Sequence, residues 1–100
     1  MKLAIVGGGS TYTPELVDGF IRLRDVLPID ELWLIDPSEE RRRLVGGMAR
    51  RMFARGGHPG VVHATDDLVA GVSGADAVLL QLRVGGQDAR HGDELSLIHI

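Results

Sequence analysis

Three consecutive glycines, Gly7, Gly8 and Gly9, follow the apolar residues 3–6 and precede a helix-like pattern beginning near Thr13. A strand, a glycine-rich turn and a helix, in that order, let a protein hold phosphate with its main chain. Glycine admits φ > 0 and brings the backbone close to a ligand without a Cβ in the way. Amides at the start of the helix, together with its dipole, favour an anion there. The turn meets the dinucleotide pattern G-x-G-x-x-G only in part. Gly7 and Gly9 fill the first two positions, but Tyr12 stands at the third, where glycine normally permits close helix–strand packing. The following helix should therefore start or sit differently. The lysine of a P-loop is missing, which argues against ATP chemistry.

Asp36 closes a second apolar run, slightly beyond the ~20-residue interval at which a carboxylate meets the ribose hydroxyls of a dinucleotide. In that role it favours NAD over NADP; in the plainer one it opens the turn at Pro37. No arginine follows at once to hold a 2′-phosphate, although Arg41, Arg42 and Arg43 come soon after. A third stretch, from Arg83-Val84-Gly85-Gly86 to Asp93-Glu94, combines glycines with cations. Arg83 and Arg90 stand where an anionic substrate or a cofactor phosphate would lie, because the planar guanidinium suits phosphate. Taken singly, each is also an ordinary loop charge.

The elements that must position these groups alternate between short apolar runs and helical periods. A first strand, Lys2–Val6, leads to a helix with Thr13 as N-cap, Pro14 at its first position and Glu15 in its first turn. Its apolar residues Leu16, Val17, Phe20, Ile21 and Leu23 mostly share one face, and Pro28 prevents further helix. A second strand, Glu31–Ile35, ends at Asp36-Pro37. Ser38 then caps a helix with Glu39 and Glu40 in its first turn and a buried stripe of Leu44, Val45, Met48, Ala49, Met52 and Phe53. Gly56 and Gly57 end it. A short strand at 61–64, a helical turn at 67–71 and an almost wholly apolar strand at 77–82 follow, the last as expected for a sheet covered on both faces.

This order predicts an α/β fold, a Rossmann-like doubly wound parallel sheet in strand order 3-2-1-4, stopping after about four strands. Ligands bind such sheets at the carboxyl ends of strands one and four, where the order reverses. Arg41, Arg42, Arg43, Arg50, Arg51 and Arg55 form the polar face of the second helix and read as solvated charge. His58 and His63 lack metal-ligand spacing to any partner, and Trp33 and Met48 sit in core patterns.

Composition is that of a globular domain: 100 residues, 44% apolar, 25% charged, net charge −3. The acidic balance and few aromatics disfavour nucleic acid, and apolar runs fall far short of the ~20 residues a membrane span needs. The absence of cysteine excludes disulfides and thiolate metal sites within these residues. Without the layout of a signal peptide, a cytoplasmic protein is the expectation.

Together the glycine turn and the arginine-rich stretch resemble the NAD- and manganese-dependent glycosidases of glycoside hydrolase family 4. Gly7-Gly8-Gly9-Ser10-Thr11-Tyr12-Thr13-Pro14-Glu15-Leu16 is similar to that family's opening motif, with tyrosine at the third glycine position. Leu32-Trp33-Leu34-Ile35-Asp36 resembles its second strand, and Arg83 through Glu94 its strand-four loop. The 6-phospho-β-glucosidase branch is the most similar. The resemblance implies an exception to the two-carboxylate scheme of glycoside hydrolysis. NAD⁺ oxidises the sugar at C3, a tyrosine base removes the acidified C2 proton, the aglycone leaves, water adds and the hydride returns. Manganese holds the C2 and C3 oxygens as a Lewis acid. Substrates would be a phosphorylated disaccharide or aryl glucoside, handled by a homo-oligomer.

By motif position, Gly7, Gly8, Gly9, Ser10 and Thr11 would hold the pyrophosphate, Asp36 the adenosine ribose, Arg83 the cofactor side of the cleft and Arg90 the phosphorylated sugar. The family's metal ligands and catalytic tyrosine lie farther along, so this chain carries no catalytic or metal-ligating residue of its own and is expected to be inactive alone. Residues 1–94 read as the amino-terminal part of the NAD-binding domain. Residues 95–100 depart from the family's continuation, where a proline-containing turn is expected, and read as foreign or as a truncation artefact. Two other readings fit the turn and fold: an NAD-dependent 2-hydroxy-acid dehydrogenase, and a non-catalytic NAD-binding module.

Overall fold

The computed structural model describes residues 1–81 and, for the backbone alone, 82–83 and 93–99. The elements run β1 (Lys2–Val6), α1 (Thr13–Arg22), β2 (Glu31–Ile35), α2 (Glu39–Arg55), β3 (Val61–Thr65), α3 (Leu68–Val72), β4 (Ala77–Arg83) and β5 (Asp93–His99). They form one sheet in the order β3-β2-β1-β4-β5. The first four strands are parallel, with β1 paired to β2 and β4 and β2 paired to β3. The expected order 3-2-1-4 is therefore present.

The sequence reading did not foresee β5. It runs antiparallel to β4, with Arg83 opposite Asp93 and Ala77 opposite His99, and so covers what would have been the sheet edge. Its segment, Asp-Glu-Leu-Ser-Leu-Ile-His, crosses residue 94 without interruption.

Side chains alternate across the strands and sort into two cores. Leu3 and Ile5 of β1, Leu32 and Leu34 of β2, Val62 of β3 and Leu79 of β4 meet Val17 and Phe20 of α1 and Val45, Ala49 and Phe53 of α2. On the other face Ala4, Ile35 and Val78 join Ala75 in a smaller cluster, with Val6, Trp33, Val72 and Leu80 packed at its margin.

Three local expectations change. Thr13 is not the N-cap of α1: Tyr12 takes that place without a side-chain cap bond, and Thr13 is the first helical residue. Its hydroxyl turns inward, donating to the Gly8 carbonyl at 2.9 Å, so it is fully buried and unable to cap. Leu44 lies outside the buried stripe of α2, which consists of Val45, Gly46, Ala49 and Phe53. Trp33 is only half-buried, its ring stacked on His63 at 4.3 Å. The Ser38 cap holds as expected, its Oγ accepting from the Arg41 amide.

Candidate functional site

The carboxyl ends of β1, β2 and β4 meet at a cleft of about 340 Å³ lined by Gly7, Ser10, Asp36, Pro37, Ser38, Arg41 and Gln81. It lies at the reversal of strand order, where the fold class places ligands. Gly7 has φ +84°, and a Cβ there would stand 2.6 Å from the Gln81 carbonyl oxygen. Only glycine lets the chain leave β1 so close over β4. Gly8 is bounded on the other side, where a Cβ would fall 2.9 Å from Leu34 Cα.

The turn is held from within. The amides of Gly7 and Gly8 both donate to the Ile35 carbonyl, at 2.8 and 3.0 Å. The Gly9 amide donates to Asp36 Oδ2 at 3.0 Å, in a buried bond. Ser10 closes the next bend: its amide donates to the Gly7 carbonyl at 3.1 Å, and its Oγ accepts from the Tyr12 amide at 3.2 Å. The glycine amides therefore shape the turn, and the exposed Thr11, whose amide makes none of these bonds, is the turn's outward group. Thr13 Oγ1 also lies 3.2 Å from Gln81 Oε1, linking the start of α1 to β4.

Tyr12 explains how the pattern works without its third glycine. Its side chain is 43% exposed, whereas the adjoining Thr13 is fully buried. The close approach of helix to strand is thus made one residue later, by a hydroxyl that satisfies a turn carbonyl.

Asp36 is buried, and both its carboxylate oxygens are engaged. Oδ2 accepts from Gly9 and Oδ1 from the Ser38 amide at 2.9 Å. Its main chain is held equally firmly, the amide donating to the Thr65 carbonyl at 3.0 Å and the carbonyl accepting from Arg42 Nη1 at 2.7 Å. The carboxylate thus joins the glycine turn to the N-terminus of α2, and it borders the cleft with its remaining lone pairs.

Of the residues selected from sequence, Gly7, Ser10 and Asp36 line the cleft, while Gly8 and Gly9, both buried, and the exposed Thr11 belong to the same turn without lining it. Arg83 ends β4 at the same edge of the sheet. Arg90 lies outside the described residues. Ser38, Arg41 and Gln81 were not selected for the cleft; a cap position three residues before Arg41 was the available signal, since one helical turn returns Arg41 to the start of α2. Among the described residues no group of three His, Asp or Glu could hold a metal, and no helix is long and apolar enough to cross a membrane.

The model of family 4 glycosyl hydrolases matches residues 2–97. The chain belongs to this family. It is 47% identical over 96 residues to a probable 6-phospho-beta-glucosidase of Bacillus subtilis, covering 94% of this chain and 22% of that protein. Among solved structures it resembles the 6-phospho-beta glucosidase of Thermotoga maritima crystallised with manganese, NAD⁺ and glucose-6-phosphate. The TM-score is 0.75 at 35% identity, over 86% of this chain and 21% of that one. A 6-phospho-alpha-glucosidase from gut microorganisms, in complex with NAD and Mn²⁺, superimposes with TM-score 0.78 at 33% identity, over 85% and 19%. The family 4 chain described here thus spans about a fifth of the length of these relatives.

Proposed function

We propose that this chain is the NAD-binding segment of a 6-phospho-glucosidase of the β type, acting on phosphorylated disaccharides or aryl glucosides. The observation that carries this reading is the cleft at the glycine turn. It is lined by Gly7, Ser10, Asp36 and Arg41, in a chain whose structural relatives were crystallised with NAD. Gly7, Gly8 and Gly9 keep the backbone low enough for a pyrophosphate to approach. Ser10 and Thr11 lie beside the start of α1, where an anion is favoured. Asp36 faces the adenosine ribose, and Arg83 and Arg90 serve the cofactor side and the sugar phosphate respectively.

When bound, NAD and Mn²⁺ supply a hydride acceptor and a Lewis acid for oxidation at the sugar. The segment's own residues bind and orient the dinucleotide; metal ligands and the proton-transferring base belong to the rest of the enzyme. Residues 1–94 form part of the NAD-binding domain in this reading, and the segment alone is inactive. The enzyme is a cytoplasmic homo-oligomer.

The test is release of nitrophenol from a 6-phospho-β-glucoside by the full-length protein carrying this chain. Cleavage is expected only with both NAD⁺ and Mn²⁺ present. Turnover that persists after removal of all dinucleotide sinks the proposal.

A further inference from the structure

A phosphate at a glycine turn is ordinarily held by free amides of the turn and of the helix start. This turn has almost none left. The Gly7 and Gly8 amides donate to the Ile35 carbonyl, and the Gly9 amide to Asp36 Oδ2. The amides of Ser10 and Thr13 donate to the carbonyls of Gly7 and Ser10, and that of Tyr12 to Ser10 Oγ. Pro14 has no N–H, and the amides of Glu15 and Leu16 both donate to the Tyr12 carbonyl. Between residues 7 and 16, Thr11 therefore carries the one amide without an acceptor among the described residues. A dinucleotide bridge, with its paired phosphates, needs further donors.

Gln81 of β4 is placed to provide them. It lies directly against the turn: a Cβ on Gly7 would stand 2.6 Å from its carbonyl oxygen and 3.4 Å from its Cβ. Its side-chain oxygen is turned toward the start of α1. There the Thr13 hydroxyl donates in a three-centre bond, to the Gly8 carbonyl at 2.9 Å and to Gln81 Oε1 at 3.2 Å. The nitrogen at the other end of the amide has no acceptor among the described residues. It is not sealed off either, since His58 Nε2 is the one buried side-chain atom among them that lacks a partner. Among the residues lining the cleft, Gln81 comes from β4, whereas Asp36, Ser38 and Arg41 stand beyond β1, around the start of α2. The Asp36 carboxylate on that wall favours the same orientation, with the positive end of the amide dipole toward the cleft.

We propose that Gln81 is a cofactor-binding residue whose Nε2 donates to a phosphate oxygen of the dinucleotide bridge, in place of the amides that the glycine turn uses internally. The inference rests on the NAD-binding reading of the cleft. It gives Thr13 a positioning role, because its hydroxyl sets which end of the glutamine amide faces the ligand.

Titration calorimetry of the full-length protein with NAD⁺, comparing Gln81→Glu with Gln81→Met, separates this role from a structural one. Gln81→Glu keeps an oxygen for Thr13 but turns an anion toward the phosphates, and is expected to weaken NAD⁺ by about a hundredfold. Gln81→Met removes only the donor and is expected to weaken NAD⁺ by about tenfold. Adenosine, which carries no phosphate, should bind all three proteins within about twofold in ligand-observed NMR. A residue that merely braces the turn through Thr13 gives the reverse order, with methionine the more damaging. An NAD⁺ affinity of Gln81→Met equal to or below that of Gln81→Glu, or a parallel loss of adenosine, overturns the proposal and leaves the NAD site standing. Failure of the unaltered protein to bind NAD⁺ instead overturns the NAD-site reading itself, and this inference with it.

Discussion

The two faces of the sheet are built by different means. Beneath α1 and α2 lies a core of large aliphatic side chains with Phe20 and Phe53, and α2 alone contributes 17 residues of helix. On the opposite face, among the described residues, one helix of five residues lies over a cluster of Ala4, Ile35, Ala75 and Val78. Specific contacts take the place of bulk there. Lys2 Nζ donates to the carbonyls of Ala70 and Ser73, at 3.1 and 2.6 Å, and lies 4.5 Å from the centre of the Trp33 ring. Trp33 in turn stacks on His63, and its Nε1 donates to Glu31 at 3.1 Å. One face is secured by area removed from water, which is insensitive to detail. The other depends on a few polar and aromatic contacts in register, and its stability can be altered one contact at a time.

The largest expected effect tests that asymmetry. Phe53→Ala should cost about 3–5 kcal/mol, because its ring is almost fully buried and leaves a cavity. Trp33→Ala, although it removes a larger side chain, should cost less than half as much because the ring is only half-buried. Equal losses in urea denaturation would abolish the distinction between the faces. A smaller effect belongs to Lys2→Met, which keeps an apolar stem but deletes the bonds to the end of α3. Roughly 1 kcal/mol is expected, from two exposed hydrogen bonds and a cation–π contact. Faster amide exchange confined to α3 would locate that loss, and unchanged exchange would show that the lysine holds nothing.

The smallest effect is a pH dependence on the strongly packed face. His58 follows α2, stacked on Phe53 at 4.1 Å, and its Nδ1 accepts from the Gly60 amide at 2.9 Å. Burial, reinforced by the nearby Arg24 guanidinium, holds its pKa below the ordinary value. The folded state therefore prefers the neutral ring, whereas the unfolded chain binds a proton near pH 6.5. The stabilisation is full above about pH 6.5 and declines as pH falls below it toward the lower folded value. Between pH 7.5 and 5.5, His58→Gln should flatten the fall in denaturation midpoint; an unchanged slope would assign it to other groups.

The sequence was most legible where local chemistry and packing agree. The first four strands, the Ser38 cap and the paired glycines after α2 follow from alternation and capping alone. Legibility failed where a side chain took a tertiary partner. Thr13 is a sound cap by type, but the Gly8 carbonyl claims its hydroxyl. Leu44 fits the spacing of the buried stripe, but it borders an open surface hollow with Glu39, Glu40 and Arg43 and is 61% exposed. The β5 strand escaped notice because its polar and apolar residues carry no signal for pairing with a parallel sheet. At the candidate site, the positions of Gly7 and Asp36 were readable, whereas the engagement of both Asp36 oxygens was not. The Oδ2 bond depends on a turn 27 residues earlier in the chain. Arg41 was likewise read as one charge among several, since its place in the cleft arises only when β1 and α2 are brought together.

The inward-facing glycine amides have a thermodynamic consequence for whatever enters the cleft. A phosphate loop that orders only around its ligand charges the lost freedom of several residues to association. In this chain Ile35 and Asp36 bind those amides beforehand, so the cost is met during folding, alongside the ordering of β2 itself. Association at this turn should consequently carry little loop-ordering entropy. Weakening the β1–β2 seam at some distance from the ligand would return that entropy to the binding step.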